Sequence, residues 1–176
     1  MIITPSDEFI RPADTTAYAS GDLVANSTTA AVVIPLKFSL EGLKIKCGVV
    51  GFVRLFKDDE TTTAATFTLH LFAKSPTVSS GDNAALAIAT AEYHLGEIAC
   101  DMSSNAFATS TDIIQRFQVL DLNNSSPSMI AFDLRDDPSG DALYGLLEAG
   151  AAYTPASGER FRVWLEIGDD HAGYDR

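Results

Sequence analysis

The chain has 176 residues, 46% hydrophobic and 20% charged, with 24 acidic against 12 basic side chains and a formal net charge of −12. These values exclude a disordered chain and fit one domain large enough to bury a core without disulfides or metals. The acidic balance leaves no basic footprint for nucleic acid or an anionic membrane, and no apolar run reaches the ~20 residues of a spanning helix.

The chain opens without a basic stretch followed by an apolar one, so no signal peptide is expected, and synthesis in a cytoplasm is. Residues 1–30, with Pro5, Pro12 and a small polar run at 15–20, show no helical period and little alternation. Phe9, Ile10, Tyr18, Leu23 and Val24 would be wasted in a solvated tail. The segment therefore reads as an extended arm lying over a surface.

Alternation begins at Ala31. Val32, Ile34, Leu36, Phe38 and Leu40 share one face, and Pro35 points to an edge or a bulge. After a turn at Glu41-Gly42, residues 43–57 form the longest strand candidate. Ile45, Cys47, Val49, Val53 and Leu55 fall on one side, with Gly51 marking a bulge or bend. Phe52 and Phe56 stand on the other side, so the second half of this strand is apolar on both faces and is expected to meet protein on both.

Residues 58–63 read as a solvated connection, 65–74 as a strand and 75–83 as a loop. Residues 84–92 fit either a short helix or a strand followed by a turn. Residues 93–101 form a strand bent at Gly96, and 102–112 a surface loop. Short strands at 117–122 and 129–134 flank the turn formers at 123–127. After a loop at 135–141 comes a long hairpin: apolar residues 142–153, a tip containing Pro155 and Gly158, and residues 160–168. There Phe161, Val163, Leu165 and Ile167 oppose Arg160, Arg162, Trp164 and Glu166. Residues 169–176 are a polar tail.

About eight strands, turn signals between them and at most one short helix exclude a parallel α/β sheet. They predict an all-β antiparallel sandwich of jelly-roll type, with an arm at 1–30, the sandwich at 31–168 and a tail at 169–176. Cys47 and Cys100 lie in apolar strands and read as buried free thiols, with a disulfide unsupported by their spacing.

Catalytic patterns are missing. His70, His94 and His171 lack the paired spacing of a sandwich metal site, and the loop carboxylates lack the alternate-residue spacing of a calcium loop. No nucleophile elbow, phosphate loop or Cys-x-x-Cys pair occurs. A non-enzymatic protein with no cofactor and no metal is expected. Trp164, facing away from the apolar side of its strand, is an interface anchor, a sugar-stacking platform or part of a second apolar layer.

Three stretches carry a resemblance. They are Arg11-Pro12-Ala13-Asp14 with Tyr18 and Gly21-Asp22-Leu23-Val24; Leu71-Phe72-Ala73-Lys74-Ser75-Pro76 leading to Asp82-Asn83-Ala84-Ala85; and Ala142-Leu143-Tyr144-Gly145 through Tyr153-Thr154-Pro155-Ala156-Ser157 to Phe161-Arg162-Val163. Their order is similar to that in tailed-bacteriophage virion structural proteins of the jelly-roll capsid decoration, or cement, type. The resemblance implies a homotrimer on the outer capsid surface of the virion, bound to the major capsid protein. It implies no catalytic residues, and the acidic balance points to no nucleic acid and no membrane partner. The contact residues expected are Phe9, Ile10, Arg11 and Tyr18 in the arm and Phe52, Phe56 and Trp164 on sheet faces. A tail or head-fibre protein and a carbohydrate-binding sandwich with Trp164 as platform are the alternatives.

Overall fold

The computed structural model describes residues 1–43, 45–58, 65–90, 92–103, 107–109, 112–120, 126–135 and 140–168. Expectations for the connection at 59–63, the turn centred on 123–125, the loop at 136–139 and the tail at 169–176 lie outside these residues.

Among the described residues there are twelve strand segments: β1 (Ile2–Ile3), β2 (Ser6–Ile10), β3 (Leu23–Val24), β4 (Leu36–Ser39), β5 (Cys47–Lys57), β6 (Thr66–Phe72), β7 (His94–Asp101), β8 (Phe107–Ala108), β9 (Ile113–Gln118), β10 (Ile130–Asp133), β11 (Ala142–Ala149) and β12 (Arg160–Gly168). One 3-10 turn, Ala30–Val32, is the sole helical element described. All pairings are antiparallel, in one sheet of seven segments and one of five.

The segments collapse into eight tracks. β1 and β2 run in one register along β12, and β3 and β4 lie end to end along β11. β9 and β10 share one side of β5, while β8 adds a short edge beyond β9. Numbered in chain order, the tracks run 1-8-3-6 in the first sheet and 2-7-4-5 in the second. That is the double Greek key of a jelly roll. The expected all-β sandwich is present, with twelve segments in place of about eight strands, because local breaks split three of the tracks and β8 adds a short edge.

Alternation explains the core. Phe67, Leu69 and Leu71 of β6, Leu143 and Leu147 of β11, Val53 and Leu55 of β5, and Phe161, Val163, Leu165 and Ile167 of β12 are buried between the sheets. Each contributes about 1.5–3 kcal/mol relative to exposure. Phe161 sits at the centre, stacked on Phe9 at 5.4 Å and edge-on to Phe67 at 5.3 Å. A second, smaller cluster forms outside the second sheet, where Leu23, Ala25, Phe72 and Leu146 are covered by Val78, Leu86 and Ile88. Of the span 84–92, residues 84–90 are thus neither helix nor regular strand: Ala85 bridges to Asp22 and Ile88 to Val78 as the loop folds over this patch, and residue 91 lies outside the described residues.

Several boundaries are corrected. Residues 1–30 are built into the sandwich and do not lie apart from it as an arm. Residues 2–10 form an outer track of the first sheet, Leu23 and Val24 pair with β11, and Arg11, Tyr18, Leu23, Val24 and Ala25 are buried. The physical reason is in the side chains: with one apolar face the segment is a strand, and Pro5 and Pro12 only interrupt it. The alternation from Ala31 enters the sheet only at Leu36, directly after Pro35, leaving Val32 and Ile34 exposed. In β5 the register slips at Gly51, so Val50, and not Val49, faces the core. The segment Phe107–Ala108 pairs with β9 inside the span expected to be loop.

Candidate functional site

Two constellations of arginine, aromatic ring and carboxylate stand out, one sealed inside and one on a sheet face.

The sealed one is organised by Arg11, 2% exposed, at the end of β2. Its Nε donates to Tyr18 Oη at 2.7 Å and its Nη2 to Asp82 Oδ2 at 3.1 Å. Its Nη1 donates to the carbonyls of Asp14 (3.0 Å) and Ala156 (3.1 Å). Tyr18 Oη in turn donates to Asp82 Oδ1 at 2.5 Å, which also accepts the Ala25 N–H at 2.8 Å. The Tyr18 ring stacks on Tyr153 at 5.1 Å, and Tyr18 N donates to Tyr153 O. Beyond Tyr153 lies a second buried pair, Lys57 Nζ donating to Glu159 Oε1 at 2.6 Å.

Burial dominates the electrostatics here. It pushes the Asp82 carboxyl above the ordinary carboxylate range, although the Ala25 N–H, Tyr18 hydroxyl and Arg11 charge oppose the shift. Burial, reinforced by Asp82, drives the Tyr18 phenol upward, and burial with the Glu159 charge does the same at Tyr153. Arg11 is held above its ordinary value: burial works against the charge, but Tyr18 and Asp82 together outweigh it. Arg11, Tyr18, Asp82, Lys57 and Glu159 are all buried. The cluster is a clamp that ties the end of β2, the loop at Asp82 and the hairpin tip at Ala156.

The exposed constellation covers the outer face of the first sheet. Register places Arg162 beside Phe56, Trp164 beside Arg54, and Arg54 beside Arg116. The guanidinium of Arg116 lies 3.4 Å from the Phe52 ring centre, Arg160 lies 5.7 Å from Phe56, and Arg54 and Arg162 flank Trp164 at 5.4 and 5.2 Å. Cation–π contacts of this kind are each worth about 0.5–1 kcal/mol at exposed sites. Glu166 reconciles the two adjacent arginines, accepting from Arg116 Nε and Nη2 at 2.8 and 2.6 Å and approaching Arg54 at 3.5 Å. The Arg116 bonds hold the Glu166 carboxyl below its usual range. Glu8 and Asp58 pair with Arg162 and Arg160 at the margins.

On the second sheet, His70 Nε2 lies 2.8 Å from Glu148 Oε2, and the ring centres of His70 and His94 are 5.6 Å apart. Burial, then the neighbouring His70, lowers the His94 pKa. No group of three or more His, Cys, Asp or Glu side chains among the described residues is placed to share a metal ion. Both cysteines are free; Cys47 is half-buried, and burial pushes the Cys100 thiol up.

The seven residues expected to make contacts therefore separate. Arg11 and Tyr18 are corrected: they are interior, because a guanidinium and a phenol that satisfy each other and Asp82 can be buried together. Phe9 is half-buried against Phe161, and Ile10, 60% exposed, remains on the surface. Phe52, Phe56 and Trp164 do share one outer face, half-buried under the chain's own arginines. Sequence reading missed Arg54, Arg116, Arg160 and Arg162, although for Arg54, Arg160 and Arg162 a spacing of two residues from an aromatic or from one another was the available signal. Lys57 and Glu159 carried none, since they are 102 residues apart, and Asp82 stood out only within the resembling stretch, its partner Arg11 being 71 residues away.

No protein-family model matches this chain, and no curated protein matches it significantly. Solved structures that are similar include the decameric BFDV capsid protein, at 9% identity and TM-score 0.33, covering 95% of this chain and 97% of that one. Israeli acute paralysis virus, a full particle heated to 63 degrees, gives 14% identity and TM-score 0.34, covering 96% of this chain and 72% of that one. The Triatoma virus empty capsid gives 14% identity and TM-score 0.34, covering 96% and 70%. The jelly-roll assignment of this chain rests on its own strand pairing.

Proposed function

We propose that the protein is a non-enzymatic structural component of a virus particle, a capsid decoration protein that self-associates as a trimer on the outer surface of the head and binds the major capsid protein. The observation that carries this reading is spatial. The three stretches that resemble phage decoration proteins, far apart in the chain, supply Arg11 and Tyr18, Asp82, and Tyr153 and Ala156, which converge on one buried cluster. Residues shared for a common scaffold should meet in this way; residues shared for catalysis should meet in an open cleft. The acidic chain suits an exterior position beside packaged nucleic acid, and a rigid sandwich suits a clamp between capsomers.

The arginine–aromatic face is the capsid-facing surface in this reading. The carbohydrate alternative is weakened by the arginines on either side of Trp164, which flank the ring a sugar would need. The test is sedimentation of the purified protein with mature tailed-phage capsids stripped of decoration. Saturable binding at a fixed ratio per capsomer is expected. No binding to heads, or recovery with tails alone, would overturn the proposal.

A further inference from the structure

The track formed by β1 and β2 pairs with β12 on one side, and no described strand pairs with its other side, where β4 packs close by and Lys37 N donates to Asp7 Oδ2 at 2.7 Å. Arg11 N donates to Glu159 O and Leu165 N to Pro5 O, so the odd-numbered residues direct their backbone groups toward β12. The N–H and C=O groups of Ile2, Thr4, Ser6, Glu8 and Ile10 therefore point to the open edge. The same five side chains are exposed on the outer face, Ile2 at 73% and Ile10 at 60%. Beside the edge runs a groove of about 200 Å³, lined by Phe9, Ile10, Asn26, Ile34 and Leu36 among others, with Ile34 71% exposed.

We infer that this edge pairs antiparallel with the same edge of a second copy, about a two-fold axis through Ser6. The register follows from the residues. Centred on Ser6, Ile2 stands opposite Ile10 of the partner subunit and Thr4 opposite Glu8 of the partner subunit, while on the inner side Ile3 meets Phe9 of the partner subunit. Apolar meets apolar on both faces of the ladder, and no two like charges are opposed. Centring on Glu8 instead would put Glu8 against itself.

Charge favours this edge over other surfaces of a chain carrying −12, because its one exposed acid, Glu8, already has Arg162 Nε at 3.3 Å. Pro5, a residue that often blunts edges, is no obstacle: its missing N–H would have pointed at β12 and not outward. The Glu8 N–H, held locally by Asp7 Oδ1, would exchange that bond for one to Thr4 of the partner subunit. Such an isologous contact closes on itself and is separate from the three-fold association proposed above, so either can fail without the other.

Light scattering on the full chain across a dilution series tests it. The mass should double on association, from one chain to two or from three to six, and Ser6→Pro, which removes an outward N–H without touching the β12 ladder, should lower that association at least tenfold in apparent affinity. In a Cys47→Ser background, Ser6→Cys should cross-link to a covalent dimer on mild oxidation. Glu8→Cys alone should not, and Thr4→Cys combined with Glu8→Cys should. A single-chain mass at every concentration, assembly unchanged in Ser6→Pro, or a Ser6→Cys chain that stays uncross-linked would each overturn the inference, and the last does so even if Ser6→Pro fails to fold.

Discussion

The sealed cluster around Arg11 and the outer face around Trp164 are made of the same parts, and they sit on opposite sides of the energetic scale. In both, a guanidinium lies against a ring and a carboxylate neutralises it. Inside, both partners of the Arg11–Asp82 pair have fully covered side chains; outside, Arg116 keeps 49% of its side chain in solvent. Removing charges from water costs several kcal/mol per ion, which only a fully satisfied network offsets, whereas water tolerates the loss of an exposed partner. The cluster is thus a point of fragility that specifies the fold, and the outer face a point of tolerance that can change with its contacts.

The largest effect expected is from Asp82→Ala, which leaves Arg11 and Tyr18 buried without their acceptor. It should cost about 3–5 kcal/mol, read as a lowered urea midpoint. The double variant Arg11→Met with Asp82→Leu should recover much of that loss; equal damage in both would mean the packing, not the charge, is what matters. Next is Gly81→Ala. Its Cβ would lie 2.0 Å from the backbone oxygen of Thr28, an atom that cannot swing aside, so the loop carrying Asp82 must shift. A cost of about 1–3 kcal/mol or more is expected by the same assay.

On the outer face, Arg116→Ala should cost only about 0.5–1 kcal/mol, and the difference should shrink in high salt, while the Asp82→Ala penalty should not. A salt-insensitive, multi-kcal/mol loss at Arg116 would erase the contrast. The smallest effect is in the pH profile. Glu166, depressed below its ordinary 4.5, adds stability that is present above that value and lost as pH falls through its folded pKa. Asp82, raised above its ordinary 3.8, contributes in the opposite sense, favouring the fold as pH falls toward 3.8. Glu166→Gln should therefore flatten the loss of stability between pH 5 and pH 3, and Asp82→Asn should steepen it, as read from urea midpoints across about that range.

Much of the architecture was legible because strands advertise themselves locally. The alternation in 160–168 and 65–74 and the turn formers between strands identified the antiparallel sandwich, and Gly51 announced its bulge. The N-terminal thirty residues were misjudged because their strand is short-ranged in pattern yet long-ranged in pairing. Phe9 looks unemployed until Phe161 is placed beside it. The two-sided apolar character of β5 was real, but its cover is partly the chain's own arginines, which composition counts as charge and geometry turns into a lid over rings. Buried ion pairs such as Lys57–Glu159 left no local trace, since either residue alone reads as surface.

The position of β12 between β2 and β5 has a consequence for how the molecule is made. A strand near the start of the chain must wait for the final described strand, and the Arg11 bond to Ala156 spans 145 residues. Contacts of such separation form slowly, since a long loop must close before they stabilise anything. On a ribosome the first ten residues would emerge long before their partner exists. Ile2, Ile10 and Phe9 would meanwhile be exposed to whatever the cell offers, chaperone or sister chain alike.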